Sequence, residues 1–86
     1  MVLGATYYVK FQSNPAISLT GYTGHYQVFN KAKAMIGNGD LVIGDTYAEL
    51  SYPTEGMTAG DYNFRAFLTF PDGFIQNIHD ETVSLT

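Results

Sequence analysis

Tyr62-Asn63-Phe64-Arg65-Ala66-Phe67-Leu68-Thr69-Phe70, followed at once by Pro71-Asp72-Gly73, is the stretch that decides the fold. Tyr62, Phe64, Ala66, Leu68 and Phe70 recur at every second residue, which places them on one face of a β-strand. In the turn that follows, proline sets φ for a central position and glycine accepts positive φ. Phe74 to Ile78 then returns antiparallel, because a parallel partner needs a much longer crossover.

The same alternation extends outward. Ala48, Leu50 and Tyr52 alternate with Tyr47, Glu49 and Ser51 until Pro53, which cannot donate to a ladder, stops the strand. Thr54 to Gly60 reads as a crossing loop. Leu41 and Ile43 give a short strand closed by a tight turn at Gly44-Asp45. Tyr22, Gly24, Tyr26 and Val28 alternate with Thr23, His25, Gln27 and Phe29. Ala5, Tyr7, Val9 and Phe11 alternate with Thr6, Tyr8, Lys10 and Gln12. Ser13-Asn14-Pro15 is turn chemistry, and Ile17 and Leu19 form a short extended piece. Downstream, Asp80-Glu81 separates Phe74 to Ile78 from a last strand, Thr82 to Thr86. Asn30 to Met35 is the one helix-tolerant run. It is too short to hold a helix alone, so it reads as a connection ended by Gly37-Asn38-Gly39-Asp40.

This pattern predicts an all-β domain over residues 1–86, a single immunoglobulin-like antiparallel β-sandwich of about seven short strands. The expected core is Tyr7, Val9, Phe11, Leu19, Val28, Leu50, Phe64, Leu68, Ile75 and Val83. Gly60-Asp61-Tyr62 has the rhythm of a sandwich corner, in which a tyrosine hydroxyl bonds back to the preceding loop. Gly60 and Tyr62 are therefore assigned to a structural corner. Phe64 stands where an immunoglobulin domain places an inward cysteine, so packing replaces the disulfide.

Composition excludes several function classes. The 86 residues are 45% hydrophobic and 15% aromatic, too apolar for a disordered tail. Four basic residues against eight acidic ones give a net charge of −4. That balance provides no basic stripe for nucleic acid. Without cysteine there is no disulfide, thiol chemistry or cysteine-ligated zinc. No apolar run approaches a membrane span, and the opening residues do not read as a secretory signal.

Catalytic groups are sparse. His25 and His79 both fall on the face opposite the apolar set, and their spacing does not bring them together. Asp40, Asp45, Asp72, Asp80 and Glu81 sit in or beside turns, where aspartate is ordinary. No calcium-loop pattern, nucleophile elbow or phosphate loop is present. No enzyme, metal or cofactor is expected. The tyrosines are more suggestive: seven occur in this short chain, and alternation cannot bury both Tyr7 and Tyr8. Tyr8, Phe29, Tyr47 and Phe67 fall off the main apolar face and are the candidate interface residues. Such a row suits a protein contact or sugar stacking, and also ordinary packing on a β surface.

Asn14-Pro15-Ala16-Ile17-Ser18-Leu19-Thr20-Gly21-Tyr22-Thr23 resembles the Pro-hydrophobic-Asp-Leu-Thr-Gly-Tyr/Thr-Thr segment of small immunoglobulin-like modules in tailed-bacteriophage virion proteins, with Ser18 where aspartate is usual. The N-terminal modules of baseplate upper proteins are the nearest group. The likeness continues through Tyr47 to Tyr52, Pro53-Thr54, Gly60-Asp61-Tyr62 and Asp72-Gly73 to the closing strands. It implies a non-enzymatic structural or assembly protein of a virion (tail, baseplate or capsid decoration). Its partners would be other virion proteins or copies of itself, with neither nucleic acid nor membrane. The alternative is a carbohydrate-binding or host-adhesion module, in which Asn63, Gln76 and Asn77 would accompany the aromatics toward a glycan.

Overall fold

A computed structural model describes residues 1–13 and 15–86. The strands are β1 (Thr6–Gln12), β2 (Thr23–Asn30), β3 (Met35–Asp40), β4 (Val42–Ile43), β5 (Tyr47–Pro53), β6 (Gly60–Thr69) and β7 (Ile75–Leu85). They form two antiparallel sheets, one of three strands ordered β1-β5-β4 and one of four ordered β3-β2-β6-β7. The sheets pack as a sandwich. In the constant-type immunoglobulin arrangement the second strand lies with the first and fifth, whereas here β2 lies between β3 and β6. No helix of the described residues is long and apolar enough to cross a membrane.

β6 is the centre of the larger sheet. Its inward side chains Tyr62, Phe64 and Ala66 are buried, and Phe64 is opposite the buried Val28 of β2. From the smaller sheet, Tyr7 stacks on Phe64 with ring centroids 4.0 Å apart, and Tyr52 meets it edge-on at 5.8 Å. Leu50, Ala48, Leu41, Leu19 and Leu85 complete the buried set. Val9, Phe11, Leu68 and Val83 are half-buried. The one buried polar residue among those described is Thr54. Its hydroxyl donates to the Ala5 carbonyl at 2.5 Å and accepts from the Gly4 amide at 3.0 Å, fastening the crossing loop to the entry of β1.

The structure departs from the sequence pattern in several places. Gly37-Asn38-Gly39-Asp40 is no terminating loop but most of β3, paired with β2. Both glycines are inward, where larger residues would not fit. A Cβ at Gly39 would lie 2.6 Å from the Tyr26 hydroxyl and 2.8 Å from its ring, and one at Gly37 would lie 2.4 Å from the Tyr52 hydroxyl. The tyrosines cover the glycine backbone and supply the apolar area the strand lacks. The run before it, Lys31 to Ala34, forms a tight hairpin turn. Lys33 takes the left-handed conformation at φ 65°, the one non-glycine residue among those described to do so.

β7 is one continuous strand, not two strands separated at Asp80-Glu81. Its pairing with β6 shifts register at Ala66/Phe67: Ala66 opposes His79 and Phe67 opposes Asn77, so Ile78 is the extra residue of a bulge. The bulge reverses the facing of the residues before it. Because the strand runs unbroken through Asp80-Glu81, His79 shares the inner side with Glu81 and Val83, and it is not a surface histidine on the outer face. Ile75, expected in the core, lies before the bulge and is 55% exposed. Ile17 and Leu19 form no strand. Leu19 is anchored through its amide to the Asp45 carbonyl at 2.8 Å. The turn expected at Ser13-Asn14-Pro15 includes Asn14, which lies outside the described residues.

Candidate functional site

The four candidate interface aromatics lie on opposite outer faces and do not form one patch. Tyr8 and Tyr47 belong to the three-stranded sheet, where Lys10 pairs with Glu49 and Gln12 with Tyr47. The Tyr8 hydroxyl donates to the Glu49 carboxylate, and the Lys10 ammonium lies 4.6 Å over the Tyr47 ring. That bond to Glu49 favours the protonated phenol and raises the Tyr8 pKa above its ordinary value. Tyr8 remains 53% exposed. Phe29 and Phe67 belong to the four-stranded sheet and are half-buried. The Arg65 guanidinium lies 4.9 Å over Phe29, and the His25 ring stacks on Phe67 at 4.9 Å. Of the four, Tyr8 alone offers most of its surface to a partner.

At the start of β6, Gly60 has φ 151°, a conformation that a side chain disfavours. Tyr62 is buried, and its hydroxyl donates to the Thr58 carbonyl at 2.8 Å. The bond closes the loop onto the strand and satisfies a polar atom that would otherwise be buried without a partner.

A polar cluster that the sequence pattern did not indicate spans the open side between β1 and β7. The Tyr7 hydroxyl contacts His79 Nε2 at 2.7 Å and donates to the Glu81 carboxylate. His79 Nε2 is 3.5 Å from Glu81, and the Phe11 ring packs edge-on to the imidazole at 5.4 Å. Burial, then the bond to Glu81, pushes the Tyr7 pKa well above its ordinary value. The phenol therefore stays protonated and donates. None of the three side chains is on the lining of the cavity at the end of the core or of the one beside the β2–β3 turn. The cluster joins two strands that share no backbone ladder.

Two of the cavities among the described residues flank the sandwich. One, of about 410 Å³, lies at the end of the core between β1 and the β7 bulge, lined by Phe11, Leu19, Ala48, Leu68 and Ile78 with Lys10 and Gln12 at its mouth. The other, of about 510 Å³, lies beside the β2–β3 turn and is lined by Phe29, Lys31, Lys33, Asp61, Asn63 and Arg65, among others. Three of the chain's four basic residues thus meet at one place. The sequence signal was there in Lys31 and Lys33, but Arg65 joins them only through the β2–β6 register. Among the described residues, no three histidine, aspartate or glutamate side chains gather in a way that would hold a metal ion. No family model matches this chain, and no curated protein or solved structure matches it either.

Proposed function

We propose that this chain is a non-enzymatic assembly protein of a bacteriophage virion, in a tail, a baseplate or a capsid decoration, acting through contacts with other copies of itself and with other virion proteins. The observation that carries the contact mode is the β7 edge. β7 is the last strand of its sheet; Phe74, 59% exposed, leads into it, and its first residue, Ile75, is 55% exposed. No charged residue lies between Asp72 and His79 to guard that edge. Natural sheets blunt such edges with lysine, proline or covering segments, because unpaired amides and carbonyls recruit strands from other chains. Among the described residues the cover reaches only the far end, where the Leu3 amide donates to the Thr86 carbonyl and the Thr86 amide to that of Met1. The virion assignment rests on the segment Asn14 to Thr23 and the order of motifs after it. Peptide mass spectrometry of purified particles tests it: the account expects the chain there in multiple copies, and its absence removes the assignment.

A second reading, a carbohydrate-binding or host-adhesion module, is favoured by the outer face of the larger sheet. Phe29, Asn63, Phe67 and Asn77 share that face through the pairs Phe29–Asn63 and Phe67–Asn77. Arg65 and His25 already lie over Phe29 and Phe67, so in this reading a sugar would meet the remaining exposed part of those half-buried rings beside Asn63 and Asn77. A glycan array separates the two readings, since the assembly reading expects no signal from neutral glycans.

A further inference from the structure

We propose that the cavity beside the β2–β3 turn is a binding site for a small organic oxyanion, a carboxylate or phosphate carried on a compact polar body such as a sugar ring. This goes beyond the assembly reading and does not depend on it.

The charge distribution is the first support. The chain carries a net −4, yet Lys31, Lys33 and Arg65 line one concavity of about 510 Å³. That volume suits a small molecule. Asp61 is the one acid on the lining, and it accepts from the Ser84 hydroxyl. Asp80 lies 3.7 Å from Arg65 Nε and accepts from Asn63, and it is not on the lining. Lys31 and Lys33 form no ion pair among the described residues. Two free ammonium groups and a partly compensated guanidinium therefore face one acid.

The second support is preorganisation. Arg65 is fixed from below by the Phe29 ring at 4.9 Å and from the side by its Nε donating to Asn63 Oδ1 at 2.7 Å. Asn63 is held in turn by donating to Asp80 at 2.7 Å. Among the described residues no other donor of Arg65 is bonded, so its terminal amino groups remain available as a planar fork, the geometry that matches a carboxylate or phosphate. The lysine-bearing turn is equally fixed. The Asn30 amide donates to the Ala34 carbonyl at 3.0 Å, the Lys33 amide donates to the Asn30 carbonyl at 2.9 Å, and Asn30 Oδ1 accepts the Ala34 amide at 3.0 Å.

The third support is Lys33 itself. It occupies a left-handed position where glycine or asparagine is favoured. Lysine at this position accepts a conformational cost while adding a third cation to the cavity, a pairing common where strain serves a site.

The test is a titration of the full chain followed by calorimetry and by backbone amide shifts, with glucuronate, glucose 6-phosphate, inorganic phosphate and neutral glucose as probes. The expected result is binding of glucuronate or glucose 6-phosphate with a dissociation constant below about 5 mM, shifts confined to Lys31 to Ala34 and the neighbourhood of Arg65, and no response to glucose. Preference between the carboxylate and phosphate probes identifies the oxyanion, and either preference supports the site. Binding of inorganic phosphate as tight as the sugar probes assigns the site to the bare anion and overturns the organic body. Lys33→Gly should melt no lower than the parent, because glycine accepts the turn conformation, yet bind about tenfold more weakly. Lys31→Gln should weaken binding in the same way. Equal response to glucose, unchanged affinity in both folded variants, or no shift with any probe at about 20 mM overturns the proposal.

Discussion

Phe64→Ala is the perturbation that examines the packing of the two sheets most severely. Phe64 is fully buried, and its ring is shared between Tyr7 stacked at 4.0 Å and Tyr52 edge-on at 5.8 Å, both from the opposite sheet. Truncation removes the transfer energy of the ring and leaves a cavity that a stiff two-sheet core closes only in part, for a cost of about 3–5 kcal/mol. Tyr7 then loses the ring that orients it, and the Tyr7–His79–Glu81 cluster loosens with it. At about 0.05–0.15 kcal/mol per residue, a chain of this length has a total stability of roughly 4–13 kcal/mol, so the variant is marginal. At about 4–8 °C per kcal/mol, the melting midpoint falls by roughly 12–40 °C. With no tryptophan and seven tyrosines in the chain, tyrosine fluorescence and circular dichroism in urea are the suitable probes. Phe64→Leu serves as the control and should cost about 1–2 kcal/mol, because it keeps most of the volume. An alanine variant that unfolds cooperatively within about 1.5 kcal/mol of the parent would refute the placement of Phe64 between the sheets.

Three further outcomes are expected. Tyr7→Phe should cost about 1–2 kcal/mol at neutral pH by removing a donor to a carboxylate, measured by urea unfolding. The native fold raises the Tyr7 pKa above its ordinary 10.0, so its stabilising contribution is complete below about pH 10 and is lost as pH rises beyond it. The parent should therefore lose stability above pH 10 more steeply than Tyr7→Phe, and parallel curves would count against the cluster. Gly39→Val should lower the melting midpoint by displacing the Tyr26 ring that lies over the glycine, whereas Gly56→Ala, at φ 83° in open space, should cost only about 1 kcal/mol through backbone strain. Exhaustive dialysis against chelator should leave the midpoint unchanged, since a structural ion would contribute directly to folding.

What the sequence made legible followed from one-sided burial. Tyr62 to Leu68, Tyr47 to Tyr52 and Tyr7 to Phe11 each carry their apolar residues at period two, and each is a strand with that face inward. β3 was hidden because its inward positions are glycines, and the apolar area that covers them comes from Tyr26 and Tyr52, far away in the chain. The inward set of β7 was misread because one extra residue, Ile78, reverses the alternation. No local composition marks such a bulge. That reversal turned Ile75 out to solvent, whereas His79 lies inside against Tyr7 because β7 runs unbroken from it to Val83, in phase with the core face. The cavity of Lys31, Lys33 and Arg65 was illegible for a related reason: it is made by register between β2 and β6, not by spacing. The aromatics Tyr8, Phe29, Tyr47 and Phe67 lie on the outer faces, yet the pattern of one strand cannot show that Arg65 already lies over Phe29 or that His25 already stacks on Phe67.

The account's central claim is that this domain works by joining chains along the uncovered edge of β7, and light scattering across a concentration series tests it most directly. The monomer mass is 9.5 kDa. The account predicts a weight-average mass that rises above this value with concentration in the parent chain. Ile75→Lys, which charges an exposed position without touching the core, should hold the mass at the monomer value while melting at the parent temperature. A parent chain that remains at 9.5 kDa to millimolar concentration, indistinguishable from Ile75→Lys, contradicts it.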